Sequence, residues 1–428
     1  YAYVAFNPLR YIDPDGLILF AFDGTGNSDD LNDPAMGGDG FSNVVHFLDA
    51  YNDGNRRYVS GVGTVHRDIQ YGDIRPEDHA THSLLWWITP GDSVYVNDMG
   101  GNYSGPARID RMMLYLRDEA TDFEDDEMMD IDIVGFSRGA AQARDFANRI
   151  VASSLQIDGK TYYKYTDGNG EAACQWVNFR FMGLFDTVLS TNFSNTSYTL
   201  GIPSKFAYVA HAVALNEHRS DIIGEYGTRN PKPHSMHWGG FPLESIGASS
   251  HTPGQIRIER GFLGAHADIG GGYPDGEQGL SRVALNWMVE QAKLAGVTMK
   301  ETLPIPANNP VIHDQSNVIR VGDPRIPVPK EIASGDYPSV DYVFTEDREV
   351  RGATSGTRQR NMGFDNGSMT HQDTYAYITW LPRDVEQLGK DTALDPRKLG
   401  NVTGTVDIAS YLKWLNDHGY FEKPGDGS

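Results

Sequence analysis

Short apolar runs closed by glycine- and aspartate-rich turns alternate along this chain with stretches in which apolar residues recur every three to four positions. The first run, LILFAF at Leu17–Phe22, has the length and bounds of a buried strand and stops at the turn-forming DGTGNS of Asp23–Ser28. A helix is predicted near Asn43–Tyr51, and the Asp-, Asn- and Gly-rich remainder of 29–105 reads as loops and decoration around the apolar cluster SLLWWI at Ser83–Ile88. Arg108–Ala120 has helical spacing, and the acidic run Asp122–Asp130 after it reads as a solvated connection. Next come a strand at Ile131–Val134, a sharp glycine turn, and the helical QARDFANRIVASS. Val177–Val188 is strand-like, Phe206–Glu217 has helical periodicity, Ile256–Tyr273 is a strand running into a glycine cluster, and Leu280–Leu294 is the next helix. Strand, loop and helix in repetition imply an α/β fold, a mostly parallel sheet with helices on both faces. Segments 52–105 and 300–360 are expected as insertions, the second as a lid.

Composition narrows the function. A chain of 428 residues can bury a large core in one domain with insertions or in two. Its formal net charge of −22 argues against nucleic acid as a partner and against electrostatic capture by anionic lipid. Cys174 is the one cysteine, which rules out an internal disulfide framework and a multi-cysteine zinc site. The start at Tyr1-Ala2-Tyr3 has neither a methionine nor a basic-then-apolar signal, so the chain reads as a piece of something longer.

The strongest chemical signal is Gly135-Phe136-Ser137-Arg138-Gly139, set between an apolar strand and a helix. A serine on such a strained turn needs small residues two before and two after it, and the helix that follows aims backbone N–H groups at a developing oxyanion. With 47 glycines the pattern arises easily by chance, so context decides it. A serine hydroxyl needs a base and an orienting carboxylate, which in α/β-hydrolases follow in the order acid, then histidine. Asp186 in GLFDTV and His266 in GAHADIGGG fit that order at predicted strand ends. His371 in SMTHQDTY competes as the base and Asp268 as the acid, and Asp186 also reads as a helix N-cap. His211, His218, His234 and His237 read as structural or surface residues. Gly24 and Thr25, after the first strand, are candidate oxyanion donors together with the amide near Arg138. A divalent ion held by His266, Asp268 and Asp23 is the rival arrangement, whereas the serine chemistry needs no cofactor. The Trp86–Trp87 pair reads either as core or as an interfacial anchor.

Several blocks together carry a family resemblance: FDGTGNS at Phe22, the helix start at Asn43 with YVSGVGT at Tyr58, GFSRGA at Gly135, GLFDTV at Gly183, AHAVALNEHR at Ala210 and GAHADIGGGY at Gly264. In these the chain resembles the bacterial phospholipase effectors of type VI secretion, in their first lipase family. The resemblance implies an α/β-hydrolase that cleaves acyl esters of membrane phospholipids, with the triad on Ser137, Asp186 and His266, an antibacterial action at the target-cell membrane, and a cognate immunity protein. The sequence departs from the family in reading GFLGAH where a tryptophan-phenylalanine pair usually precedes the histidine. The opening segment resembles the end of the core of Rhs-repeat proteins, whose motif falls here on Pro8, Asp13, Pro14, Gly16 and Leu17. That likeness implies self-cleavage between Leu17 and Ile18, residues 1–17 as a shell remnant, 18–428 as the toxin domain, and the Rhs shell and secretion-spike proteins as partners.

Overall fold

The computed structural model describes residues 16–30, 40–64, 104–123, 127–189, 198–214, 250–313 and 402–422, except 253, 308, 407 and 418. It also describes 241–246 without 242, the short stretches 319–321, 341–343, 350–351 and 357–358, and residues 102 and 217. Pro8, Asp13, Pro14, Trp86, Trp87, His218, His234, His237 and His371 lie outside the described residues.

A sheet of nine strands runs through the molecule. Its strands are β1 (Leu17–Phe22), β2 (Asn55–Val59), β3 (Met129–Phe136), β4 (Ser154–Ile157), β5 (Lys160–Thr166), β6 (Ala172–Phe185), β7 (Tyr208–Ala214), β8 (Ser250–Thr252) and β9 (Gln255–Phe262). The spatial order is β8-β9-β7-β6-β3-β1-β2, parallel from β9 to β2, with β8 antiparallel at one edge and the β4–β5 hairpin laid antiparallel against the first half of β6. The chain steps from β1 outward to β2 and then returns to β1's other side as β3. The carboxyl ends of β1 and β3 therefore flank a point where the winding reverses, the place where open α/β sheets hold ligands.

Alternation along the strands sends side chains to two separate cores. Leu19, Ala21, Val134 and Phe136 face α1 (Asn43–Ala50), α5 (Gly279–Leu294) and α6 (Ile408–Asp417). Ile18, Phe20, Ile131 and Ile133 face α2 (Gly105–Asp122) and α3 (Ser137–Ala152). This is the mostly parallel sheet covered on both faces that the sequence predicts. The short strand Val311–His313 pairs with Val402–Thr405 and brings α6 onto the first of these faces. None of the described helices is long and apolar enough to cross a membrane.

Two expectations need correction. Phe206–Glu217 does not form the predicted helix: its core is β7, in which every residue is buried. A central parallel strand is covered on both sides, so its apolar run has no period of its own and fits a helix equally well. The supposed decoration at 52–105 contains β2, whose sequence NRRYV lacks an apolar run because it is the last strand at its edge of the sheet. The strand predicted at Leu17–Phe22 forms with those bounds, and Leu17 pairs with Asp130 as its first residue.

Candidate active site

Three segments supply the candidate residues. In the first, β3 ends extended at Phe136 (φ −126°, ψ 141°), and Ser137 turns to φ 59° to open α3. A side chain in this left-handed region costs roughly 1–2 kcal/mol. The neighbouring glycines let strand and helix close around the turn. A Cβ on Gly135 would lie 2.7 Å from the Ala140 Cα, and one on Gly139 would lie 2.2 Å from the Asp23 carbonyl oxygen. The spacing of small residues about the serine is thus a packing requirement. The first-turn amides of α3, Arg138's among them, point out of the helix end rather than into its ladder, and the dipole there favours negative charge.

The second segment is the turn after β6. Asp186 is fully buried and also left-handed, at φ 39°. Its N–H donates to Ala212 O at 2.7 Å, and its Oδ1 accepts the Ala214 N–H at 2.9 Å. Two residues on, the Val188 N–H donates to the Ser137 carbonyl at 3.3 Å, which joins the acid's turn to the serine's. Strained backbone of this kind collects at functional sites because it persists only where the surroundings impose it.

The third segment is α4 (His266–Gly270). His266 is its first residue, beyond the end of β9 and not at the strand end that the sequence suggests. Its Nδ1 lies 2.6 Å from Asp186 Oδ2, so acid and imidazole are in hydrogen-bond contact. Phe136 and Phe241 flank the ring, each with its centroid 4.7 Å away, and shield it from water.

The DGTGN loop completes the surroundings. Asp23 accepts the Gly24 N–H and the Tyr58 hydroxyl, each at 2.7 Å. Burial pushes its carboxyl up to about 6, against the lowering effect of its hydrogen bonds to Ser42, Tyr58 and Gly24. The Gly24 N–H is therefore spent inside its own loop. Thr25 is different: its Oγ1 is buried with no hydrogen-bond partner among the described residues.

Asp268 does not stand beside His266 as a rival acid or as a metal ligand. One of its oxygens accepts the N–H groups of Ala265 and His313, and the other lies 2.9 Å from His313 Nδ1. No group of three or more His, Cys, Asp or Glu among the described residues could hold a metal ion. Asp268 instead fastens α4 to the strand Val311–His313, and Tyr273 stacks on the His313 ring at 3.8 Å. Burial lowers the affinity of this imidazole for a proton, but the charge and hydrogen bonds of Asp268, joined by Glu277, outweigh it and hold His313 above its ordinary value. A histidine raised in the folded state contributes stability that is complete below its unfolded value, about 6.5, and lost as pH rises through the folded one. The thermal midpoint is accordingly expected to fall as pH climbs beyond about 6.5, and His313→Gln to flatten that part of the curve. Melts over a pH series check this, and equal slopes for parent and variant would reject it. Asp23 and Asp132, each pushed up to about 6 by burial, act mainly below that window.

A mostly parallel sheet, helices on both faces and a left-handed serine at the winding reversal define the fold as α/β-hydrolase-like. Residues 152–291 match the family described as type VI secretion phospholipase effector, Tle1-like, catalytic domain. That segment contains Asp186 and His266 and begins after Ser137. The chain is similar to the type VI secretion phospholipase effectors, as its motifs led us to expect. An uncharacterized protein from Pseudomonas aeruginosa aligns at 22% identity and a TM-score of 0.39, over 66% of this chain and 46% of its own. This chain thus spans under half the length of that relative. The Tle1 effector bound to the VgrG spike of the type VI secretion system aligns at 18% identity and a TM-score of 0.41, over 68% of this chain and 76% of its own. No curated protein matches the chain.

Proposed function

We propose that this chain is a serine hydrolase that cleaves acyl ester bonds of membrane phospholipids. The observation that carries the reading is the 2.6 Å contact between His266 Nδ1 and Asp186 Oδ2, in a site whose acid turn is hydrogen-bonded to the left-handed Ser137. Ser137 Oγ attacks the ester carbonyl carbon while His266 Nε2 takes its proton. Asp186 holds the ring hydrogen on Nδ1 and stabilises the imidazolium that forms. The first-turn amide of Arg138 and the donors of Thr25 hold the oxyanion. His266 then protonates the departing alcohol, and water attacks the acyl-serine by the same route in reverse. No cofactor takes part.

The choice of phospholipid rests on the family match of residues 152–291. With a net charge of −22, engagement of the bilayer has to come from apolar burial and not from attraction to anionic headgroups. We further propose that the domain acts as an antibacterial effector at the target-cell membrane, carried by a secretion-spike partner and an Rhs shell and restrained in its producer by an immunity protein.

The test is a fluorophosphonate label followed by mapping of the modified residue, run beside hydrolysis of phospholipid vesicles and of a short-chain soluble ester. Label on Ser137 with turnover of vesicles is the expected result. Label on Ser137 with turnover of the soluble ester alone would make the chain a carboxylesterase, and no label on Ser137 would end the serine mechanism.

A further inference from the structure

Behind the acid lies a second buried constellation that no step of the proposed reaction uses. His211 in the middle of β7, Glu259 on β9 and Ser245 are all completely enclosed. The Thr187 N–H donates to His211 Nε2 at 3.0 Å, and His211 Nδ1 lies 2.9 Å from Glu259 Oε2. Because a peptide N–H points at Nε2, that nitrogen is the acceptor, and the ring hydrogen sits on Nδ1 and is donated to Glu259. Glu259 also accepts the Ser245 hydroxyl at 2.8 Å and the Ile246 N–H at 2.8 Å. The grouping of serine, carboxylate and imidazole imitates a catalytic triad, but its imidazole Nε2 accepts the backbone amide of Thr187 and lies 3.1 Å from the hydroxyl of that same residue.

Enclosing a carboxylate and an imidazole is expensive unless every polar atom is matched, and two apolar side chains would join β7 to β9 more cheaply. What an apolar pair could not do is offer an acceptor to the amide of Thr187, the residue directly after Asp186. That residue is gripped from the other side too, since its carbonyl accepts the Glu244 N–H at 2.8 Å. Asp186 sits at φ 39°, a conformation the chain leaves unless the peptide planes around it are held. β7 holds both: Ala212 O takes the Asp186 N–H at 2.7 Å, and the neighbouring His211 ring takes the next one.

We propose that His211, oriented by Glu259 and Ser245, is a positioning residue that fixes the Asp186 turn so that the carboxylate meets His266. The proposal rests on the serine-hydrolase reading. A chain of hydrogen bonds, Ser245 to Glu259 to His211 to Thr187, then sets the geometry of the reacting groups from inside the sheet.

Two near-isosteric substitutions divide the role, with kcat and KM measured on phospholipid vesicles. A glutamine amide reaches about as far as Nε2 and can still accept the Thr187 N–H, whereas an asparagine amide reaches only about as far as Nδ1 and leaves that N–H unmatched. His211→Asn is expected to lower kcat about thirtyfold with KM within about twofold. It should also move the acid limb of the kcat/KM profile to lower pH, because a loosened carboxylate stabilises the imidazolium less. His211→Gln should recover most of the loss and return the limb toward its place. An equal loss in both variants with an unmoved limb would mean that His211 only packs, which overturns the proposal. If His211→Asn does not fold, the isosteric Glu259→Gln must show the same displaced limb with a smaller fall in kcat, and parent-like behaviour there overturns it as well. Fluorophosphonate labelling separates the two failures. A parent unlabelled at Ser137 removes the serine reading and this inference with it, while a labelled parent beside a fully active His211→Asn removes the inference alone.

Discussion

Replacing Ser137 by alanine is expected to lower kcat for ester cleavage about a millionfold, because base and acid have nothing to activate once the hydroxyl is gone. A residue of about a thousandfold over the uncatalysed rate should survive, since the first-turn amides of α3 and the Thr25 donors still stabilise an oxyanion formed by attack of water. Stability should separate from activity at this position. Ser137 is buried at φ 59°, and alanine keeps the strained turn, whereas glycine adopts it without steric cost. Ser137→Gly should therefore melt above Ser137→Ala by the equivalent of roughly 1 kcal/mol, both being inactive. Turnover by the alanine variant near that of the parent would remove the nucleophile from the scheme.

Sequence reading locates these positions because the elements that build them announce themselves locally. An apolar strand, small residues about a serine and a helical continuation sit within one stretch from Met129 to Ala152, and the structure explains the small residues by the approach of Asp23 O to Gly139. Asp186 is legible for a similar reason, as a carboxylate closing a strand. What pattern cannot supply is the pairing of residues far apart in the chain. His211 and Glu259 are 48 residues apart, and Asp268 and His313 are 45 apart. Nothing in either neighbourhood marks the partner, so His211 reads as an ordinary structural residue, His313 is not singled out, and Asp268 reads as a possible acid. β7 escapes for a different reason: strand and helix assignments rest on a period, and a run buried on both faces has none. The β4–β5 hairpin could have been found, because Asp158-Gly159 joins the short runs SLQI and KTYYKYT and both turn residues have positive φ, at 50° and 80°. An Asp-Gly pair between two strands is a short-range hairpin signal.

Asp186→Asn should be nearly as damaging as loss of the serine hydroxyl, with kcat down about ten-thousandfold, although the substitution alters neither volume nor shape. The reason lies in how the two carboxylate oxygens are committed. Oδ1 accepts the Ala214 N–H at 2.9 Å, while Oδ2 faces His266 Nδ1 at 2.6 Å. An asparagine must keep its oxygen toward Ala214, because an amide NH2 there would meet another donor. Its NH2 group then faces His266 Nδ1, which becomes the acceptor and drives the ring hydrogen to Nε2, the nitrogen that must be bare to take the proton of Ser137. The fold has no cause to suffer, since a buried neutral amide costs less desolvation than the carboxylate it replaces, so the thermal midpoint should stay level or rise. Fluorophosphonate labelling of Ser137 should slow in parallel with turnover, because both draw on the same activated hydroxyl. An asparagine variant that labels and turns over within about tenfold of the parent would show that Asp186 does not set the hydrogen of His266. The acid would then have to be sought outside the turn that β7 holds.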